Sequence, residues 1–95
     1  MPRYLIERNF GTINDDVMKG YGERSANLVR DEFPDVTWEH SHVVVDDAGT
    51  FKTFCVYLAP DEERVFKHSE RLGGHTIEKI YEIGGDVSPS DFTAF

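Results

Sequence analysis

The sequence predicts an α+β fold in which two helices cover one face of a single antiparallel sheet. Segments with the two-residue period of strands alternate with segments of helical period, in the order β-α-β-β-α-β. The two middle strands, within residues 36–59, are separated by turn-forming residues and therefore form a hairpin. Because strand–helix–strand connections are right-handed, this order gives the ferredoxin-like sandwich, with the third strand beside the first and the second and fourth strands at the edges.

The first strand is predicted over residues 3–9 and the first helix over about 14–32. Thr12 and Asn14 provide an approximate capping signal at the start of this helix. Pro34 ends it, because the residue before a proline disfavours the helical conformation. The apolar stripe of the helix consists of Val17, Tyr21, Leu28 and Phe33.

The hairpin strands are predicted over residues 38–45 and 51–59, where β-branched and aromatic residues are frequent. The second helix begins after Pro60, where three consecutive acids face the positive end of the helix dipole, and it ends at Gly73. The last strand is predicted over residues 75–83.

A chain of 95 residues has room for one hydrophobic core. We expect a single ferredoxin-like domain over residues 1–87 and a C-terminal tail over residues 88–95. The tail is polar, so it is either disordered or packed on a partner through Phe92 and Phe95.

The composition excludes several classes of partner. The net charge of −8, from 18 acidic and 10 basic residues, argues against nucleic acid and against an anionic membrane surface. No apolar run approaches the roughly 20 residues that span a bilayer, and the first residues lack the hydrophobic segment of a secretory signal. Cys55 is the only cysteine, so no disulfide can form within the chain, and we expect a cytoplasmic protein.

Alternation along the hairpin predicts which side chains face the helices. We expect an apolar, core-facing set, which comprises Val43, Val45, Phe54, Val56 and Leu58. The opposite, open face then collects Trp38, His40, His42, Cys55 and Tyr57. An open sheet face with large apolar side chains predicts a homodimer or a binding pocket.

His40 and His42 are the first candidate metal ligands. At i and i+2 on a strand their imidazoles point the same way, about 6–7 Å apart, which suits chelation of nickel, copper or zinc. Glu7, on the central first strand, is a candidate third ligand, because a carboxylate in mid-sheet must be paired, hydrated or metal-bound. For the histidines the alternative is that one forms hydrogen bonds in the dimer interface and the other faces solvent. For Glu7 the alternative is an ion pair in the neighbourhood of Arg8 or with Lys52 across the sheet.

The chain resembles a family of small ferredoxin-like proteins, one branch of which is called nickel-binding protein. The segments that carry the resemblance are residues 4–8, 38–41 and 54–63, the pair Lys67-His68 and the pair Gly73-Gly74. The resemblance extends from Pro2 to about Val87 and implies a homodimer packed through the open face, divalent-metal binding and no established catalytic residue. His42 and the tail are less typical of the family, so the predicted role of His42 depends on its spacing from His40 alone.

Two functions remain open at this point. The first is a nickel-type divalent-metal binding protein for sequestration or buffering, without turnover, with Glu7, His40, His42 and His68 as candidate ligands. For His68, which faces inward on the second helix, a structural role is the alternative. The second function is a cofactor-free monooxygenase or isomerase with a pocket between sheet and helices, in which a histidine acts as general base. The residues considered for that pocket are Trp38, His40, Tyr57 and His68.

Overall fold

The computed structural model describes residues 1–92 and confirms the predicted order of elements. The predicted contact of Phe95 lies outside the described residues. The elements are β1 (Arg3–Thr12), α1 (Asp15–Glu32), β2 (Thr37–Val45), β3 (Thr50–Leu58), α2 (Glu62–Leu72), β4 (Thr76–Glu82) and a short 3₁₀ helix, η1 (Pro89–Phe92). The 3₁₀ helix lies within the predicted tail.

The four strands form one sheet in the order β2-β3-β1-β4, and every neighbouring pair is antiparallel. This is the ferredoxin-like arrangement that the sequence predicts, with β3 beside β1. β1 is longer than predicted because a register shift between Asn9 and Gly11 lets pairing with β3 continue to Thr12. Gly11 has a φ of 72°, a conformation that favours glycine at such a bulge.

Both helices begin and end at local signals in the sequence. The side-chain oxygen of Asn14 accepts a hydrogen bond of 2.9 Å from the Val17 N–H, and Asp61 accepts one of the same length from the Arg64 N–H. α2 ends at Gly73, which has a φ of 68°. Neither helix in residues 1–92 is long and apolar enough to cross a membrane.

The hydrophobic core lies between the helices and one face of the sheet. Residues along β1 alternate between buried and partly exposed, so every second side chain packs toward the helices. The buried cluster consists of Tyr4, Ile6, Phe33, Val36, Cys55, Tyr57, Ala59 and Val65. The other face of the sheet is the open face.

Candidate functional site

The predicted composition of the open face was wrong in part, because the side chains of β2 do not alternate regularly between the two faces of the sheet. Trp38 pairs with Tyr57, but the next pair along β2 joins His40 to Val56. One extra residue, Glu39, therefore forms a β-bulge, and a bulge reverses the alternation beyond it. Trp38 lies on the helix-facing side, whereas His40 lies on the open face.

On β3, the predicted core-facing and open-face side chains are exchanged. Cys55 and Tyr57, which were expected on the open face, are only 3% and 1% exposed and belong to the core. Phe54, Val56 and Leu58, which were expected in the core, alternate with them and lie on the open face. Both sets are apolar, so alternation separates them without identifying the set that packs on the helices. Val43 and Val45 pair with the buried Thr53 and Phe51, on the helix-facing side as predicted.

His40 and His42 do share one face, as predicted. They pair with Val56 and Phe54 on the open side of the sheet, and both side chains are exposed. Their ring centroids are 5.4 Å apart and the ring planes are inclined by 80°. Neither ring has a hydrogen-bond partner within residues 1–92. Two exposed imidazoles at this separation are free to turn toward a common ion.

Glu7 lies on the same face but not beside the imidazoles. It pairs with Phe54, which in turn pairs with His42, so one strand separates Glu7 from the histidine. With strands about 4.8 Å apart, the two backbones are separated by roughly 10 Å. The Glu7 carboxylate lies 3.3 Å from the Lys52 ammonium, so it forms one of the ion pairs expected as alternatives to a metal role.

The Lys52 ammonium is shared with a second acid. Its Nζ lies 3.0 Å from Glu78 Oε2, and hydrogen bonds to Glu78 and then to Glu7 raise the Lys52 pKa. Hydrogen bonds from Asn9, and next from Lys52, lower the pKa of Glu78 to about 2. Glu78 is therefore ionised at neutral pH, and one ammonium contacts both acids.

His68 lies on the opposite side of the sheet, inside the core. It is 0% exposed, and its Nε2 lies 3.2 Å from Ser25 Oγ. Its edge contacts the rings of Phe33 and Tyr57, at centroid distances of 5.5 and 5.4 Å. The four candidate ligands therefore do not come together. Within residues 1–92 no group of three or more His, Cys, Asp or Glu side chains is arranged to hold a metal ion.

A buried polar cluster beneath the sheet was not predicted from the sequence. Its centre is Arg8, whose guanidinium lies 3.2 Å from the Tyr57 hydroxyl and 2.9 Å from Ser69 Oγ. Ser25 Oγ joins the cluster 3.2 Å from the same hydroxyl. A signal existed, because Arg8 occupies the same alternating set as Tyr4 and Ile6 on the first strand.

Comparison with known proteins agrees with the fold and identifies a family. The family described as nickel responsive protein SCO4226-like matches residues 4–83. A search of curated proteins found no significant match. Among solved structures, SCO4226 from Streptomyces coelicolor A3(2) superposes with a TM-score of 0.68 at 22% sequence identity, over 90% of this chain and 99% of that protein. At this identity the likeness shows the fold, whereas the family match covers most of the sequence, and the chain belongs to the nickel responsive SCO4226-like family.

Proposed function

We propose that this protein binds a nickel-type divalent cation through His40 and His42 and holds it without turnover, for sequestration or buffering. The observation that carries the proposal is the exposed pair of imidazoles with ring centroids 5.4 Å apart on one strand. Imidazole nitrogen is a preferred ligand of nickel, copper and zinc. The family's description as nickel responsive agrees with a metal-related function.

The donor set fits a partly hydrated ion. Glu7 is engaged by Lys52, and His68 lies across the sheet, so the two imidazoles are the ligands that this chain offers together. Water completes the coordination, which predicts one ion per chain and modest affinity. The net charge of −8 favours accumulation of cations near the surface.

We also propose that two copies pack through the open face, in the cytoplasm. The support for the dimer is the apolar character of this face, where Val44 and Tyr81 are 40% and 51% exposed. The central open-face residues are Leu5, Phe54, Val56 and Leu58. Because β2 is an edge strand, His40 and His42 lie at the rim of this surface and remain reachable by a hydrated ion. Size-exclusion chromatography with light scattering measures the mass, and a monomer at micromolar concentration would contradict the dimer.

Calorimetric titration of chelator-stripped protein with nickel, zinc, copper and cobalt tests the metal site. We expect one ion per chain, a dissociation constant below about 100 μM, and loss of that binding in His40→Ala and in His42→Ala. His75→Asn is the matched control, because it removes an imidazole that stacks on Phe10, 4.9 Å away on the helix-facing side. Binding that persists in both alanine variants, or that is lost equally in the control, would contradict the site.

A further inference from the structure

A cavity of about 390 Å³ lies between α1 and the helix-facing side of the sheet. Its wall is mainly apolar and includes Phe10, Met18, Tyr21, Trp38, Val43 and Leu72. Arg8 belongs to the same wall, although its side chain is only 2% exposed. The sheet separates this cavity from His40 and His42, so it is independent of the proposed metal site.

The guanidinium of Arg8 has no acidic partner among residues 1–92. Its Nη1 lies 3.4 Å from Cys55 Sγ and 3.2 Å from the Tyr57 hydroxyl, and its Nη2 donates to Ser69 Oγ at 2.9 Å. The Nε group is buried without any hydrogen-bond partner. Within residues 1–92 no carboxylate oxygen lies within 4 Å of the guanidinium, although the sequence contains 18 acidic residues.

Two titratable groups beside Arg8, the Tyr57 phenol and the His68 imidazole, are neutral. Burial raises the pKa of the Tyr57 phenol, so this hydroxyl stays protonated. Burial, and next the positive charge of Arg8, lower the pKa of His68 to about 4, so this imidazole stays uncharged at neutral pH. The Tyr57 ring, whose centroid lies 4.9 Å from the guanidinium carbon, makes a cation–π contact but carries no counter-charge. A buried cation without a counter-charge is costly, and an anion in the cavity would remove that cost.

We propose that this cavity binds a small organic monocarboxylate with an apolar body, whose carboxylate pairs with Arg8. A guanidinium presents its N–H groups in the fork geometry that matches a carboxylate. The hydroxyls of Ser25, Thr53 and Tyr57 lie in the same wall and supply further polar contacts. The apolar wall contacts the body of the ligand.

The charges of the wall favour a single negative charge. Apart from Arg8, the charged residues of the wall are Asp15 and Lys19, which are exposed on α1 and offset each other. Arg8 therefore remains as one uncompensated buried charge, which matches a monocarboxylate better than a dianionic phosphate ester. The apolar wall disfavours a bare inorganic anion, because such an ion leaves that surface uncovered.

Titration of the full ¹⁵N-labelled chain at pH 7, without metal, tests the proposal by NMR. The panel of monocarboxylates is acetate, hexanoate, benzoate, phenylacetate and 3-phenylpropionate, and the controls are benzyl alcohol and inorganic phosphate. We expect at least one apolar carboxylate to bind with a dissociation constant below about 1 mM and to shift resonances of the cavity wall. Acetate, benzyl alcohol and phosphate are expected to bind at least about tenfold more weakly, since each lacks the apolar body or the carboxylate.

Two variants locate the binding in the cavity. Arg8→Met is expected to weaken binding at least about tenfold. Gly22→Leu is the second variant, because Gly22 lines the cavity and a Cβ there meets no atom within 4 Å, so a side chain can fill the space. Gly20→Leu is its matched control: it lies on the same helix with equal space, outside the cavity wall.

The outcomes separate this proposal from the metal site. Loss of binding in Gly22→Leu with retention in Gly20→Leu and in His40→Ala supports the cavity, whatever the nickel titration gives. Three results would overturn the proposal. One is that no carboxylate of the panel binds at about 10 mM, and another is that phosphate or benzyl alcohol binds as tightly as the best carboxylate. The third is that Gly22→Leu binds the carboxylate as tightly as the wild-type protein.

Discussion

Lowering the pH from 7 to 5 is expected to destabilise this protein through His68. The side chain is fully buried, with Ser25 Oγ 3.2 Å from its Nε2 and, in the described part of the chain, no hydrogen-bond partner for its Nδ1. Burial is the first cause, and the positive charge of Arg8 the second, of a pKa lowered to about 4. The folded protein therefore keeps His68 neutral at a pH at which the unfolded chain protonates it.

The sign and size of the effect follow from this difference in pKa. An imidazole in the unfolded chain titrates near its ordinary pKa of about 6.5. Above that pH both states are neutral and the free energy of unfolding is at its full value. As the pH falls toward 4 only the unfolded state takes up the proton, so stability is lost, by about 2 kcal/mol between pH 7 and pH 5. His75, whose pKa is also lowered by burial, adds a loss in the same direction.

Urea unfolding at pH 7, 6 and 5, at one fixed protein concentration, measures the loss by far-UV circular dichroism. In His68→Gln the side chain that faces Ser25 is an amide, which does not titrate. The loss in the free energy of unfolding between pH 7 and pH 5 is therefore expected to be smaller by about 2 kcal/mol than in the wild-type protein. His40→Gln, at an exposed position, is the matched control and should keep the wild-type pH dependence. Carboxylates contribute little in this range, because their pKa values in the unfolded chain lie near 4.

Either of two results would contradict this role of His68. One is a wild-type protein whose free energy of unfolding changes by less than about 0.5 kcal/mol between pH 7 and pH 5. The other is a His68→Gln variant that retains the full pH dependence, since the proton uptake would then belong to another group.

Two substitutions test other parts of the structure. Tyr57→Phe removes a hydroxyl that lies 3.2 Å from both Ser25 Oγ and Arg8 Nη1, so urea unfolding should show a loss of about 1–2 kcal/mol, and unchanged stability would contradict the buried cluster. Gly74→Ala places a Cβ against the side chain of Tyr21 at a residue with a φ of 72°. This substitution should lower Tm by several degrees, which corresponds to a loss of about 1–3 kcal/mol in the free energy of unfolding. Gly84→Ala is the control and should leave Tm unchanged, because a Cβ there meets nothing within 4 Å. Equal effects of the two substitutions would contradict the predicted clash with Tyr21.

The order of the elements and the ends of the helices could be predicted because their signals are local. A cap such as Asn14 acts on a backbone group three residues away, and Gly73 ends α2 through its own φ. The antiparallel hairpin follows from turn residues between two strand-forming segments. These interactions need no knowledge of the rest of the fold.

The two faces of the sheet could not be predicted in the same way. The extra residue at Glu39 leaves no mark in the hydrophobic pattern, yet it places Trp38 and His40 on opposite sides. On β3 both alternating sets are apolar, so the choice between Tyr57 and Phe54 as a core residue depends on which surface the helices cover. The shared face of His40 and His42 was predictable, because no bulge falls between them.

The alternation of β1 separates the two proposed sites. Glu7 and Arg8 are neighbours in sequence and point to opposite faces, so the acid meets Lys52 on the open side while the guanidinium enters the core. Glu7 therefore cannot pair with Arg8, and no other carboxylate within residues 1–92 does so. The proposed cation site on one face and the proposed anion site on the other share no side chain, so they should respond additively to substitution. In the double variant His40→Ala, Arg8→Met, the affinity for the metal ion and the affinity for the carboxylate should each fall by the same factor as in the corresponding single variant. A larger or smaller fall would show that the sheet couples the two sites.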